Sequence, residues 1–206
     1  MHSRSKQKSK MQFSLLILAQ VFTTYIPVKM LLPLKWSRPA NVPYPNVWLR
    51  FKAKDLDSDE LVEYRIQDVP EDQIEEAIER LTEFYIPDEP LCKTTDSDKD
   101  PKYIRDFQES WRAQAAQRMV LACYKEGSDE ILGVNLTYVA SKDDDTSIEA
   151  KQQSQCKEFA MIIDLLAFVC NQRGFSVWDK YGVDKFVATF CLGVGRRFRG
   201  RGFAID

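Results

Sequence analysis

The sequence Gly195 to Asp206 reads GRRFRGRGFAID, a turn-forming run in which Gly195, Gly200 and Gly202 alternate with Arg196, Arg197, Arg199 and Arg201. A glycine turn between a strand and a helix start can aim several backbone N–H groups at one point. The helix dipole and nearby guanidinium groups add positive potential there. The chemistry such a turn suits is the binding of a pyrophosphate or another compact anion. The known phosphate motifs do not fit. Gly195 and Gly200 have P-loop spacing, but Arg201 and Gly202 follow where lysine and Ser/Thr are needed. Gly193-x-Gly195 lacks the third glycine of a dinucleotide fingerprint. An arginine–glycine segment that binds RNA is the competing reading of the same residues.

Acid–base chemistry is constrained by what the chain lacks. His2 is its only histidine, so a general base has to be a carboxylate, tyrosine, lysine or cysteine. The cysteines, Cys92, Cys123, Cys156, Cys170 and Cys191, form no C-x-x-C pair. A Cys/His metal site is therefore not expected, and the thiols read as reduced and buried in a cytosolic protein. FYIPDEPLC, Phe84 to Cys92, sets Asp88 and Glu89 between two prolines. Taken alone, Glu89 reads as a carboxylate in an exposed loop.

The elements that must position these groups follow from periodicity. From Leu61, Val62, Tyr64 and Ile66 alternate with charged residues as in a half-buried strand. In the next stretch Asp68 is a candidate cap, Pro70 suits a first turn, and Ile74, Ala77, Ile78, Leu81 and Tyr85 share one helical face. Pro87 stops that helix and places PDEP at its C-terminal end. A second helix is expected around Tyr103 to Gln117. RMVLACYKE and ILGVNLTYV read as a hairpin turning at Gly127 to Glu130. A helix over about Gln152 to Asn171 precedes a C-cap at Gly174, and FVATFCLGV, Phe186 to Val194, reads as a buried strand that feeds the basic loop. The fold class expected is α/β (α+β), a mixed sheet with flanking helices.

The 206 residues suffice for one domain, and a formal charge of −2 argues against a general polyanion or nucleic-acid binder. Residues 1–60 read as a hydrophobic leader and proline-rich linker, and 61–206 as the domain. Within the leader a basic start precedes the apolar run Phe13 to Leu34. That order is compatible with a signal peptide, an anchor or a dispensable leader, although Pro27, Lys29 and Pro33 interrupt it. A cytoplasmic location is expected, with membrane association through residues 13–34 as the alternative.

Arg199-Gly200-Arg201-Gly202-Phe203-Ala204, placed directly after FVATFCLGV, resembles the R-x-x-G-x-G/A signature of the GNAT superfamily of acetyl-CoA-dependent N-acetyltransferases. FYIPDEPLC resembles the D-E-P-L segment of the insect arylalkylamine, dopamine-type, N-acetyltransferases within it. The resemblance spans Leu61 to Asp206. It implies a GNAT fold, acetyl-CoA as co-substrate, a small, arylalkyl amine as acceptor, and a monomer when complete, with no nucleic-acid partner and no metal. The backbone of Arg199, Gly200, Arg201, Gly202, Phe203 and Ala204 would hold the coenzyme A pyrophosphate. Leu192, Gly193 and Val194 would bond the pantetheine arm, and the Val194 N–H would face the oxyanion. Glu89 would be the general base of a direct acetyl transfer. Phe84 and Tyr85 are candidates for the border of the amine site or for the core.

Gly193 departs from the resemblance, since serine often stands there in related enzymes. The second departure is the ending inside the cofactor motif. On that ground the chain is expected to bind acetyl-CoA weakly, to transfer no acetyl group and to aggregate. The alternative reading is an inactive truncated isoform or fragment with a binding or regulatory role.

Overall fold

The computed structural model describes residues 34–56, 58, 60–144, 156–171 and 176–200. Five strands form one sheet: β1 (Val47–Lys54), β2 (Leu61–Asp68), β3 (Val120–Lys125), β4 (Gly133–Ser141) and β5 (Lys185–Val194), with spatial order equal to chain order. Helices α1 (Ile74–Phe84), α2 (Pro90–Thr94) and α3 (Pro101–Ala115) lie between β2 and β3 in sequence. Helices α4 (Lys157–Asn171) and α5 (Val177–Tyr181) lie between β4 and β5. The α/β architecture with flanking helices is as expected. The described strands are not mixed, however: every neighbouring pair is antiparallel. The helical connection from β4 to β5 starts and finishes at the same end of the sheet, where Lys142 N–H donates to Asp184 O at 2.9 Å. Such a connection reverses the returning strand.

The domain opens earlier than the expected boundary at Leu61. Val47–Lys54 is strand β1, paired along its length with β2, and not part of a linker. Asp68, expected as a helix cap, instead holds this N-terminal arm. Its carboxylate accepts from Arg38 Nη2 at 2.8 Å, from Asn46 N–H at 2.9 Å and from Trp48 Nε1 at 2.8 Å. A carboxylate 1 % exposed takes whatever donors satisfy it, and the arm supplies more of them than a helix start would.

α1 forms where the apolar spacing predicts. Ala77, Ile78 and Leu81 are its buried face, and a single 3-10 turn, Glu71–Gln73, leads into it. α3 starts at Asp100, whose carboxylate accepts from Lys102 N–H at 2.8 Å, with Pro101 in its first turn. Its buried residues Tyr103, Phe107, Ser110, Trp111 and Gln114 recur at helical spacing. They meet α4 and β5 in an aromatic cluster, with ring centroids 4.9 Å apart for Phe107–Phe159 and 6.3 Å for Phe107–Phe190. The other sheet face carries a smaller core of Ala53, Tyr64, Cys123, Leu132 and Phe198. The helix at Gln152 to Asn171 is described from Lys157, and Gly174 lies outside the described residues.

The ladder between β4 and β5 is interrupted once. Leu136 pairs with Cys191 but Thr137 with Thr189, so Phe190 is an extra residue on β5. A one-residue bulge inverts the facing of every residue beyond it. Phe190 and Cys191 therefore both face the helix-side core, and Gly193 faces α1 as well.

Candidate functional site

α1 stops at Phe84, and the chain turns sharply. Tyr85 O accepts from both Asp88 N–H, at 3.1 Å, and Glu89 N–H, at 3.0 Å. Pro87 and Pro90 bracket the two acids, and Glu89 takes the extended backbone that a following proline favours, φ −69° and ψ 125°. That conformation makes it the cap of α2. Its Oε2 accepts from Cys92 N–H at 2.7 Å. The expected loop carboxylate is thus a half-buried cap, held by one oxygen.

The basic loop reaches the same corner. β5 ends at Val194, and Arg196–Phe198 forms a 3-10 turn where a tight turn into a helix was expected. Gly195 N–H donates to Leu132 O at 3.0 Å, and Phe198 sinks into the smaller core. Arg199 then folds back. Its Nε donates to Val194 O at 2.8 Å, its Nη1 to Asp88 Oδ2 at 2.6 Å and its Nη2 to Phe84 O at 2.9 Å. Arg196 adds a bond to Asp88 Oδ1 at 3.2 Å, and the Lys93 ammonium lies 3.6 Å from the same oxygen. The two segments singled out by their residue types therefore meet, joined through Asp88.

This arrangement divides the work between adjacent carboxylates. Hydrogen bonds from Arg199 and Arg196 pull the Asp88 pKa down to about 2. Among the described residues the cations of this corner, Arg196, Arg199 and Lys93, pair with Asp88 and none pairs with Glu89.

Gly193 is packed against the end of α1. A Cβ at this position would lie 3.0 Å from Phe84 Cβ and 3.3 Å from Leu81 Cδ2. A serine here would press its Cβ against the helix, which would have to give way. Gly195 is equally confined, between the rings of Phe198 and Phe84. Leu192 points to the other side of β5 and is 48 % exposed, while Val194 is half-buried beside the smaller core. Arg197 and Gly200 are exposed, and Gly200 has φ +72°. Arg201, Gly202, Phe203 and Ala204 lie outside the described residues. Tyr85 belongs to the helix-side core, its ring 6.3 Å from Trp111 and 6.5 Å from Phe107, and burial pushes its hydroxyl pKa up. Phe84 lies against Gly195.

Sequence reasoning missed the role of Asp88, which arises from contacts with residues 108 and 111 positions away in the chain. A cavity of about 520 Å³ opens elsewhere, at the start of α1, lined by Arg38, Tyr44, Glu71, Glu75, Arg112 and Arg118. Its acids are already engaged, Glu71 by Arg118 and Glu75 by Arg112, and none of the candidate site residues lines it.

The chain matches no protein-family model and none of the curated proteins. Solved structures do match. The yellow fever mosquito (Aedes aegypti) protein that carries the name arylalkylamine N-acetyltransferase 7 is 40 % identical with a TM-score of 0.74, over 82 % of this chain and 68 % of that one. Arylalkylamine N-acetyltransferase 2 from Aedes aegypti is 23 % identical with a TM-score of 0.60, over 68 % of this chain and 64 % of that one. Drosophila melanogaster polyamine N-acetyltransferase is 19 % identical with a TM-score of 0.52, over 68 % and 64 %. The last two share the fold. Identity across two thirds of the first relative, with the PDEP corner and the basic loop closing on each other, shows that the chain belongs to the insect arylalkylamine N-acetyltransferases of the GNAT superfamily.

Proposed function

We propose that this protein transfers the acetyl group of acetyl-CoA directly to a primary amine of the arylalkyl class, such as dopamine or tryptamine, with Glu89 as general base. The observation that carries this reading is the corner itself. Asp88 gathers Arg196, Arg199 and Lys93, which leaves the neighbouring Glu89 unpaired by any described cation. A protonated amine is no nucleophile. Glu89, with Oε2 held by the Cys92 amide, takes the proton through its other oxygen. The amine nitrogen then bonds to the thioester carbonyl carbon, the C–S bond breaks, and the proton that the nitrogen sheds on becoming an amide is taken up by the departing coenzyme A thiolate, which leaves as the free thiol. The Val194 N–H is assigned to the oxyanion that forms between these steps. Leu192, Gly193 and Val194 are assigned to the pantetheine arm. Arg199, Gly200, Arg201, Gly202, Phe203 and Ala204 are assigned to the pyrophosphate.

The cofactor-facing part of this reading fits a basic rim, since Arg197 is exposed and unpaired among the described residues. The reaction belongs in the cytosol, as the described cysteines Cys92, Cys123, Cys156 and Cys191 are buried free thiols. Among the described residues no helix is long and apolar enough to cross a membrane. The test is release of free thiol from acetyl-CoA on addition of tryptamine or dopamine, in the wild type and in Glu89→Gln. Amine-dependent release that the substitution abolishes is expected. Release that Glu89→Gln leaves intact would remove Glu89, and amine-independent release would remove the amine.

A further inference from the structure

Helix α4 departs from the pattern of a surface helix, which carries polar residues on its outer side. From Phe159 to Asn171 its one charged residue is Asp164. Phe159, Ile162 and Ile163 face the helix-side core. Met161, Leu165 and Phe168, spaced i, i+4 and i+7, form a second apolar stripe on the opposite side, with Phe168 60 % exposed and Met161 52 %. A helix apolar on both sides is built to be covered on both.

The sequence holds one segment suited to that task. Among the stretches outside the described residues, 145–155 is polar but for Ile148 and Ala150, and 172–175 and 201–206 are short. Residues 13–33 are predominantly apolar, and no charge falls between Phe13 and Val28. This run enters the fold beside the layer that contains α4. Leu34, which follows it directly, packs against the same helix-side core as Phe159 and Ile163. Lys35 N–H donates to Asp144 Oδ1 at 3.0 Å, and that buried carboxylate also accepts from Ser141 N–H, at the end of β4, at 2.7 Å. The connection that carries α4 leaves β4 here, and α5 brings it back, with Lys142 Nζ 3.9 Å from Asp179 Oδ1. We propose that the Met161, Leu165 and Phe168 face of α4 is the docking surface for residues 13–33 of the same chain.

Size and reach agree with this occupant. Three partly exposed side chains fall well short of the roughly 800 Å² per partner of a standard dimer interface, which suits one segment better than a second copy of the chain. The stripe extends over about 10 Å of helix. A run from 13 to 33 can reach about 70 Å when extended, so it can cross the stripe and still join Leu34. The anchor-like sequence is then engaged by the protein's own helix and not by a bilayer.

Trypsin cleavage after Lys29 in the full chain reads the docking, with cleavage after Lys10, ahead of the run, as internal reference. Cleavage of a segment that opens transiently tracks the population of its open form. Met161→Gln combined with Phe168→Gln keeps helix-forming residues at two exposed positions. It is expected to speed the Lys29 cut, relative to the Lys10 cut, by about tenfold or more. Thermal unfolding checks that the variant stays folded. In a second measurement, benzoylphenylalanine placed at Phe168 of the otherwise unchanged chain is expected to crosslink, on irradiation, to residues 13–33 of the same molecule, as mapped by mass spectrometry. Equal Lys29 cleavage in wild type and folded variant overturns the proposal. So do crosslinks that join two molecules, which would make α4 a contact between copies. Protection of Lys29 only on addition of phosphatidylcholine and phosphatidylserine vesicles also overturns it, by giving the run to a bilayer. None of these readouts involves turnover, so this docking and the role of Glu89 fail separately.

Discussion

Glu89 and Asp88 are neighbours with the same charge and different surroundings, and their expected behaviour differs accordingly. Glu89→Gln should lower turnover by roughly 10²–10⁴-fold near neutral pH while acetyl-CoA affinity stays close to wild type. The deficit should narrow at high pH, where more amine is already deprotonated. Steady-state kinetics over a pH series, with calorimetric titration of acetyl-CoA, checks both parts. Asp88 acts by holding. Its folded pKa is lowered from 3.8 to about 2 by Arg199 and Arg196, so the latch is intact above 3.8 and lost as pH falls through about 2. Asp88→Asn should therefore mimic at neutral pH what acid does to the wild type. Hydrogen exchange of the amides from 195 to 200 should quicken in the variant, and protection equal to wild type would show that Phe198 and the backbone bonds of Gly195 and Arg199 hold the loop without Asp88.

At the level of elements, the bulge at Phe190 decides where β5 meets α1. It turns Gly193 toward Phe84 and Leu81, a contact with no room for a side chain. Gly193→Ser should cost about 1–3 kcal/mol, because the atom it meets is a Cβ close to the backbone of α1. For a chain of this size that is about 2–4 °C of Tm for each kcal/mol, read by calorimetry. Not every element was equally legible in the sequence. α1 and α3 were, because their apolar residues recur at helical spacing, and β4 and β5 were, as short apolar runs. β1 was not: only Ala53 among its residues is buried, so it shows no stripe, and prolines precede it. α2, Pro90–Thr94, is too short to display any period. Glu89 was singled out through its likeness to a family motif. Its environment was hidden, since the Asp88–Arg199 bond spans 111 residues and the Cys92–Tyr103 bond joins two helices.

Across the whole molecule, the sheet is fastened at one edge by the arm that precedes β1. Arg38 and Asp68, with side chains 5 % and 1 % exposed, form its buried ion pair, and the Arg38 guanidinium lies 5.3 Å from the Tyr44 ring centroid and 5.7 Å from that of Trp48. Arg38→Ala would leave Asp68 without its countercharge, at a cost of about 3–5 kcal/mol. A matching fall in the denaturant midpoint with unchanged slope is the expected result. The order of the sheet has a further consequence, which concerns synthesis. Because each strand pairs with the one made just before it, the strands β1 to β4 can pair in the order in which they leave the ribosome, and β5 adds last, beside β4. The corner that gathers the site cannot. Asp88 emerges 111 residues ahead of Arg199, a delay of about 5–20 s at ordinary elongation rates. In a growing chain the scaffold therefore precedes the latch, and the Asp88 corner waits for the loop that closes it.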